Sequence, residues 1–256
     1  MNLIDTHTHL FGKQFDADRP ATIQRAIDSG CHTMLLPNID VESISALKET
    51  CIAFPANCLP MMGLHPCSVG ADVETALERI RLELFAAKYI AVGEIGLDLH
   101  WDKTYQEQQR VAFVTQCRWA AQLALPVSIH SREATAWAIK ILHEENISGL
   151  RGVFHCFSGT LEEANQVIAM GFMLGIGGVI TYKNTDLREL LSGISSEHLV
   201  LETDSPYLAP NPHRGKRNES SYLTFIAEEL AKVYRITAQE IGEVTTVNAR
   251  MMFGLR

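Results

Sequence analysis

The chain has 256 residues, of which 46% are hydrophobic and 20% charged, and its formal net charge is −8 at pH 7. This composition excludes intrinsic disorder, collagen and coiled coil as the dominant state, and the length is close to that of a single closed α/β barrel. The negative charge argues against a protein that holds nucleic acid mainly by bulk electrostatics, so any phosphate-bearing substrate must be attracted locally.

No segment of the sequence is expected to cross a membrane or to direct secretion. The longest nearly unbroken apolar run, residues 170–180, is about half of the roughly 20 residues that span a bilayer, and it contains four glycines. The N-terminal residues lack a basic region followed by a long apolar one. The six cysteines lie far apart with no C-x-x-C pair, as is typical of buried, reduced thiols. We therefore expect a cytoplasmic protein without disulfides.

Short apolar runs alternate with segments of helical periodicity along the whole chain. The predicted strands are, in chain order, 3–7, 32–36, 59–64, 90–94, 127–130, 152–157, 172–175 and 199–203. Eight strand–helix repeats in this length predict an α/β fold of one domain, residues 1–256, built as a single (β/α)8 TIM barrel. The alternative, a doubly wound open sheet, normally has a glycine-rich loop after its first strand, where this chain has DTHTH.

Two histidines close the first predicted strand. His7 and His9 are two residues apart, so a strand places both side chains on one face, where they can bind one metal ion. Taken alone, the pair fits a polar turn equally well. The ends of later predicted strands add further residues of ligand type, namely Glu94, His130, His155 and Asp204. Because the carboxyl ends of the strands form the active-site face of such barrels, all six side chains are expected to converge in one mouth.

Six ligands exceed what one tetrahedral site with an open position can use. They suit two divalent cations that share a bridging carboxylate and a water, with Glu94 as the natural bridge. Such a pair lowers the pKa of the water toward neutrality, and Asp204 is the best candidate to take its proton and hand it to the leaving group. The residues therefore predict hydrolysis, with Glu94 and Asp204 as catalytic carboxylates.

The same residues form a series of motifs that resembles the TatD family of metal-dependent deoxyribonucleases, which is related to the amidohydrolases. In chain order the motifs are DTHTHL from residue 5, GLHP from 63, GEIGLD from 93, HSR from 130, HCFSG from 155, ETDSPYLAP from 202 and HRGK from 213. The series spans almost the entire chain. It departs from the family at Thr8, where cysteine is frequent, and at Ser220, where proline is common after Asn-Glu.

The resemblance implies a TIM-barrel metallohydrolase that acts on DNA, often as a 3′-to-5′ exonuclease on single-stranded ends. It also implies two metal sites, one held by His7, His9, Glu94 and Asp204 and the other by Glu94, His130 and His155. The metals are expected to be Mg²⁺, Mn²⁺ or Zn²⁺, because imidazole-rich ligation favours Zn²⁺ or Mn²⁺ while the family is associated with Mg²⁺. No obligate protein partner is evident from the sequence.

Weaker candidates surround these ligands and are predicted to contact substrate. His65 ends the third predicted strand and reaches the same mouth, and Arg132 could clamp a phosphate. The loop after the last strand carries His213, Arg214 and Lys216, and with Arg217 it supplies three fixed positive charges in an acidic protein. Glu202 shares strand parity with Asp204 and could orient a ligand histidine, whereas Asp98 is expected to be a turn residue.

Two other functions remain open at this level. A small-molecule amidohydrolase or lactonase would use the same metals to polarise a carbonyl, although such enzymes often bridge them with a carboxylated lysine, and the fourth strand offers Glu94 instead. A catalytically silent barrel would be expected to lose at least one of the six ligand types. Family resemblance alone does not fix the substrate.

Overall fold

The computed structural model describes residues 1–255, in which every strand is followed by a helix. The strands are β1 (Leu3–Asp5), β2 (Cys31–Pro37), β3 (Cys58–Met61), β4 (Val92–Asp98), β5 (Val127–Arg132), β6 (Gly152–Phe154), β7 (Phe172–Ile176) and β8 (Leu199–Leu201). The α-helices are α1 (Arg19–Asp28), α2 (Ile44–Ala53), α3 (Val73–Ala86), α4 (Gln106–Leu123), α5 (Thr135–Glu145), α6 (Leu161–Ala169), α7 (Leu187–Ser192), α8 (Leu223–Tyr234) and α9 (Ala238–Phe253).

The strands form two parallel ladders, β1-β2-β3 and β4-β5-β6-β7-β8. Backbone hydrogen bonds join the ladders at both edges. Thr6 N donates to Leu201 O at 3.0 Å, while Met62 N donates to Ala91 O at 3.2 Å and Gly93 N to Met62 O at 3.1 Å. The eight strands therefore surround one interior, and the predicted TIM barrel is confirmed.

An apolar cluster fills the part of the barrel away from the predicted mouth. Five strands each contribute one buried side chain to it, Ala91 adds another just before β4, and the last turns of α9 pack against them through Met252 and Phe253. The residues from the strands are Ile4, Leu35, Met61, Val153 and Val200.

The β4 strand is longer than predicted, so Glu94 lies inside it and not at its end. The pairing of β4 with β5 shifts between Val92 and Ile95, which is a bulge that contains Glu94. Pairing then resumes because Gly96, at φ 140°, brings its backbone against the His130 carbonyl, where a Cβ would overlap. A bulge re-aims side chains, and here it turns the Glu94 carboxylate to the site described below.

The β1 strand is shorter than predicted and ends at Asp5. The Asp5 carboxylate accepts a hydrogen bond from His7 N at 3.3 Å, so a side chain replaces a ladder partner there. The chain nevertheless stays extended, since Thr8 N donates to Leu35 O at 3.1 Å and Thr8 bridges to Ser205. His7 and His9 thus keep the common direction that the strand period predicts.

Within residues 1–255, no helix combines the length and apolar character that crossing a bilayer would require. All six cysteines are free thiols. Five are buried or half-buried, but Cys67 is exposed, contrary to expectation, because it lies in the loop that follows β3.

Candidate metal centre

The Glu94 carboxylate lies between two groups of histidines at the mouth of the barrel. Its Oε2 atom is 3.1 Å from His7 Nε2 and 3.5 Å from His9 Nε2. Its Oε1 atom is 2.9 Å from His130 Nδ1 and 2.8 Å from His155 Nε2. Each carboxylate oxygen therefore faces a different two of these four histidines, which is the arrangement of a bridging ligand.

Asp204 completes the first group. Its Oδ1 atom is 3.5 Å from His9 Nε2 and 3.8 Å from His7 Nε2, and its side chain is 14% exposed. The backbone of Asp204 is left-handed, with φ 55°, a conformation that aspartate tolerates better than most residues. This backbone turn directs the carboxylate back over the end of β8. Asn218 fixes the turn, because its Nδ2 donates to Thr203 O and Tyr207 O, both at 2.7 Å.

The spacing of the ligand atoms fits metal ions. Atoms bound at 2.0–2.1 Å to a tetrahedral ion lie roughly 3.3 Å from one another. The nitrogens of His7 and His9 are 3.3 Å apart, and those of His130 and His155 are 3.2 Å apart. Both pairs are close to Glu94 oxygens, so each half of the site holds a triangle of donor atoms with the size of a coordination shell.

Outer partners fix two of the histidine rings in the orientation that a metal ligand needs. His7 Nδ1 lies 3.0 Å from Ser128 Oγ, and His130 Nε2 lies 2.8 Å from Asp98 Oδ2. A ring nitrogen bound in this way leaves the other nitrogen free to face Glu94. Ser128 was not singled out in the sequence. Asp98 does form the expected turn, but it also holds His130, and its shared parity with Glu94 on β4 could have indicated that role.

Glu202 is buried behind the second group. Its carboxylate accepts a hydrogen bond from the backbone N–H of Cys156, and Oε1 lies 3.7 Å from His155 Nδ1. Within residues 1–255, His155 Nδ1 and Glu202 Oε2 are buried without a hydrogen-bond partner. The polar pair stays close because Gly175 has no side chain, since a Cβ there would overlap the Glu202 carboxylate. Glu202 thus lies beside a histidine of the site, and its role in orienting that ring stays a prediction.

Burial would by itself raise the pKa of Glu94, but the surrounding imidazoles outweigh it and hold that pKa well below the ordinary value. The same balance of burial against a His9 hydrogen bond and nearby imidazoles lowers the pKa of Asp204. Both groups are thus carboxylates near neutral pH. Two anions among clustered imidazoles form the donor set that divalent cations of intermediate softness prefer.

His65 reaches the same site from the loop after β3. Its Nε2 lies 3.3 Å from Glu94 Oε1, and its Nδ1 accepts a hydrogen bond from Cys67 N at 3.0 Å. Because Nδ1 accepts, the proton of the neutral ring is on Nε2. In this tautomer His65 offers a hydrogen-bond donor to the mouth, as expected for a substrate contact.

The loop after β8 carries the predicted basic residues, and it uses one of them internally. Arg217 donates to both Asp18 oxygens, at 2.7 and 2.8 Å, and its guanidinium lies over the Phe15 ring. Arg217 was expected to add its charge to the substrate loop, but that charge is paired with Asp18 instead. Arg214 lies over the Tyr182 ring with its Cζ 4.4 Å from the centroid, and Lys216 is exposed.

His213 and Arg132 are both fixed by aromatic neighbours. The His213 ring stacks on Tyr222 with centroids 4.0 Å apart, which anchors the start of the basic segment. The Arg132 side chain is exposed, and its Cζ lies 5.2 Å from the centroid of the Trp101 ring. Trp101 was not considered in the sequence, where a single tryptophan in a loop carries no motif.

Comparison with known proteins places this site in a family. The family model for TatD related DNase matches residues 4–254. The chain is 36% identical over 252 residues to the uncharacterized metal-dependent hydrolase YabD of Bacillus subtilis, with 98% of each chain covered. It is 34% identical over 260 residues to the 3′-5′ ssDNA/RNA exonuclease TatD of Edwardsiella piscicida, which covers 99% of this chain and 100% of the relative.

The fold comparison agrees. The crystal structure of YjjV, a TatD homologue from Escherichia coli, superimposes with a TM-score of 0.93 at 29% identity, over 99% of this chain and 98% of its own. The chain therefore belongs to the TatD family of metal-dependent hydrolases.

Proposed function

We propose that this protein is a two-metal deoxyribonuclease that trims single-stranded DNA ends in the 3′-to-5′ direction. The observation that carries the proposal is the Glu94 carboxylate, whose Oε2 faces His7 and His9 while its Oε1 faces His130 and His155. The Edwardsiella relative, a 3′-5′ ssDNA/RNA exonuclease, supports the substrate class. The same geometry supports two divalent cations per chain, with Mg²⁺, Mn²⁺ and Zn²⁺ as the candidates.

The first metal would be held by His7, His9, Glu94 and Asp204, and the second by Glu94, His130 and His155. When bound, two such ions polarise a phosphodiester and make water a stronger nucleophile at neutral pH. Asp204 is the proposed general base, because it is ionised, partly exposed and adjacent to the first group. It takes a proton from the attacking water and returns it to the leaving oxygen.

Other side chains are assigned to the substrate phosphates. His65 donates from Nε2 to a non-bridging oxygen, which fits its proton position beside Glu94. Arg132 projects from the end of β5 at the same mouth. The segment that carries His213, Arg214 and Lys216 follows β8, on the face where barrel enzymes often bind phosphate.

The distribution of charge favours a strand end over a long duplex. The chain carries a net charge of −8, and Arg217 is neutralised by Asp18. The positive charge assigned to the substrate is thus that of the metal mouth, Arg132, Arg214 and Lys216. A few phosphates can be held there, which suits a single strand that enters end first, whereas duplex binding needs many phosphates to be neutralised.

The test is hydrolysis of single-stranded DNA by protein stripped of metal and then supplied separately with Mg²⁺, Mn²⁺ or Zn²⁺. A 5′-labelled strand should give a ladder of progressively shorter products, while a 3′-labelled strand should release the labelled mononucleotide first. Glu94→Gln should be inactive, and Glu78→Gln, an exposed glutamate on α3, should match the wild type. Efficient cutting of closed circular DNA would contradict the exonuclease proposal.

Hydrolysis of lactones or amides with no action on DNA would favour the small-molecule alternative, for which Arg214 and Lys216 have little use.

We also propose that residues 1–256 form one domain, since α9 packs against β1 and β8 and so joins the two ends of the chain. The cytoplasmic location stays a prediction.

A further inference from the structure

Trp101 is exposed at the mouth of the barrel, which is unusual for so large an apolar side chain. It is 70% exposed, whereas the other two tryptophans, Trp119 and Trp137, are half-buried on α4 and α5. Single exposed apolar residues are common on protein surfaces, but this ring lies in the loop after β4, beside the metal centre, where a ligand can cover it.

The backbone of Trp101 is tied to the metal centre. Asp98 Oδ1 accepts hydrogen bonds from Trp101 N at 3.0 Å and from His100 N at 2.9 Å. The other oxygen of the same carboxylate accepts from His130 Nε2 at 2.8 Å. Trp101 is therefore two hydrogen bonds away from a proposed metal ligand, and its position is fixed relative to that ligand.

Two neighbouring side chains also contact the Trp101 ring without burying it. Arg132 places its guanidinium over the ring, with Cζ 5.2 Å from the centroid, and the His100 ring meets it edge-on at 4.8 Å. His100 is in turn bound to Glu133, with Nδ1 2.6 Å from Oε1. Because the ring remains 70% exposed, these contacts order it and still leave most of its surface open.

A flat aromatic surface next to a guanidinium matches one element of the proposed substrate, a nucleobase with its neighbouring phosphate. Bases of a single strand can stack on such a ring, while those of an intact duplex are already stacked on one another. We propose that Trp101, ordered by Arg132, is the stacking platform for a base close to the cleaved phosphate. This inference rests on the proposed function and deepens it, because it assigns a contact to the base where every other contact is to phosphate.

The test is equilibrium binding of a short thymidine oligonucleotide with phosphorothioate linkages that resist cleavage. It is compared with an oligonucleotide of the same length built from abasic residues, both followed by fluorescence anisotropy. Trp101→Ala should weaken binding of the thymidine strand by about 5- to 150-fold, the usual effect of losing one stacked base. The affinity for the abasic strand should fall much less, since only the Arg132 contact to phosphate is disturbed there, and Trp101→Phe should restore most of the loss.

Phe85→Ala serves as the matched control, because Phe85 is an exposed aromatic residue in the last turn of α3, at the opposite end of the barrel. It should bind both strands like the wild type. Tryptophan fluorescence should be quenched by the thymidine strand in the wild type and not in Trp101→Ala, although Trp119 and Trp137 remain.

Equal binding of the thymidine strand by Trp101→Ala and the wild type would overturn the inference and leave the nuclease assignment intact. Equal losses for the thymidine and abasic strands would also overturn it, since the effect would then be on the backbone or the loop. Failure of the wild type to hydrolyse unmodified DNA with any of the three metals would instead overturn the proposed function.

Discussion

His130 donates a hydrogen bond from Nε2 to Asp98 Oδ2 at 2.8 Å, so the last residue of β4 positions the imidazole that lies on β5. The two strands are paired in register, with Asp98 beside Arg132 and Gly96 beside His130. Burial would raise the pKa of Asp98, but its hydrogen bonds from His130 and from the backbone of Trp101 lower it below the ordinary value. The partner of His130 is thus a carboxylate near neutral pH.

Removal of this partner should weaken the second metal site. Asp98→Ala should lower metal affinity or kcat by about 10- to 100-fold, the usual effect of losing the outer partner of a ligand histidine. Asp98→Asn keeps an acceptor and should lose less. Titration against a competing chelator measures the affinity. Asp102→Asn is the matched control in the same loop, since Asp102 contacts only Thr104 N among the hydrogen bonds found in residues 1–255. Unchanged affinity in Asp98→Ala would contradict the role.

Substitutions of the two proposed catalytic carboxylates, Glu94 and Asp204, should have different effects. Glu94→Ala removes a ligand shared by both groups, so metal content should fall in both halves of the site. Asp204→Asn keeps an oxygen near His9 but loses the base, and turnover should fall by about 10²–10⁴ with metal largely retained. Elemental analysis and kcat, measured on the same preparations, separate the two effects. Near-normal turnover in Asp204→Asn with metal bound would move the proton transfer to another group.

Arg217 should act on stability and not on substrate binding. Its pairing with Asp18 is bidentate but about one third exposed, so Arg217→Ala should lower the free energy of unfolding by about 0.2–1 kcal/mol. The Arg217 hydrogen bonds lower the pKa of Asp18, so this contribution is fully present above the ordinary aspartate pKa near 3.9. It is lost as pH falls and Asp18 takes up a proton.

Urea unfolding of Arg217→Ala and the wild type at pH 7 and pH 3 measures this difference. The difference in the free energy of unfolding between the variant and the wild type should be smaller at pH 3 than at pH 7. A raised KM for DNA with unchanged stability would instead restore the original expectation for Arg217.

Arg214 and Lys216 should contribute to substrate binding. Loss of both charges should raise KM for oligonucleotides roughly 2- to 30-fold, from about 0.2–1 kcal/mol for each exposed ion pair. The slope of log KM against the logarithm of the salt concentration should decrease by about 1.4, since each phosphate contact on a single strand contributes about 0.7 to it. Lys88→Ala/Lys140→Ala removes two exposed charges, one from the loop before β4 and one from α5, and should change neither quantity. An unchanged KM in the Arg214/Lys216 variant would reopen the small-molecule alternative.

The sequence predicts the barrel well because alternation of apolar strands and helices is a local pattern. Convergence of His7, His9 and Asp204 also follows, since these residues come directly after β1 and β8 and the carboxyl ends of parallel strands meet. The predicted extent of β4 was wrong, because a bulge and Gly96 allow the strand to continue past Glu94. Such irregularities depend on the partner strand.

Long-range pairing explains the rest of what the sequence did not predict. Arg217 binds Asp18, which is 199 residues away in the chain, so no local pattern marks it as occupied. Ser128 contacts His7 across 121 residues, and Trp101 is recognised only once Arg132 and Asp98 are seen around it. These contacts depend on strand register and loop paths, which side-chain periodicity does not specify.

Metal stoichiometry after reconstitution of stripped protein tests whether Glu94 joins two metal sites. We expect two divalent ions per wild-type chain, and about one in His130→Ala/His155→Ala, which keeps His7, His9 and Asp204. Saturation of the wild type at one ion, with no change in the double variant, would contradict it.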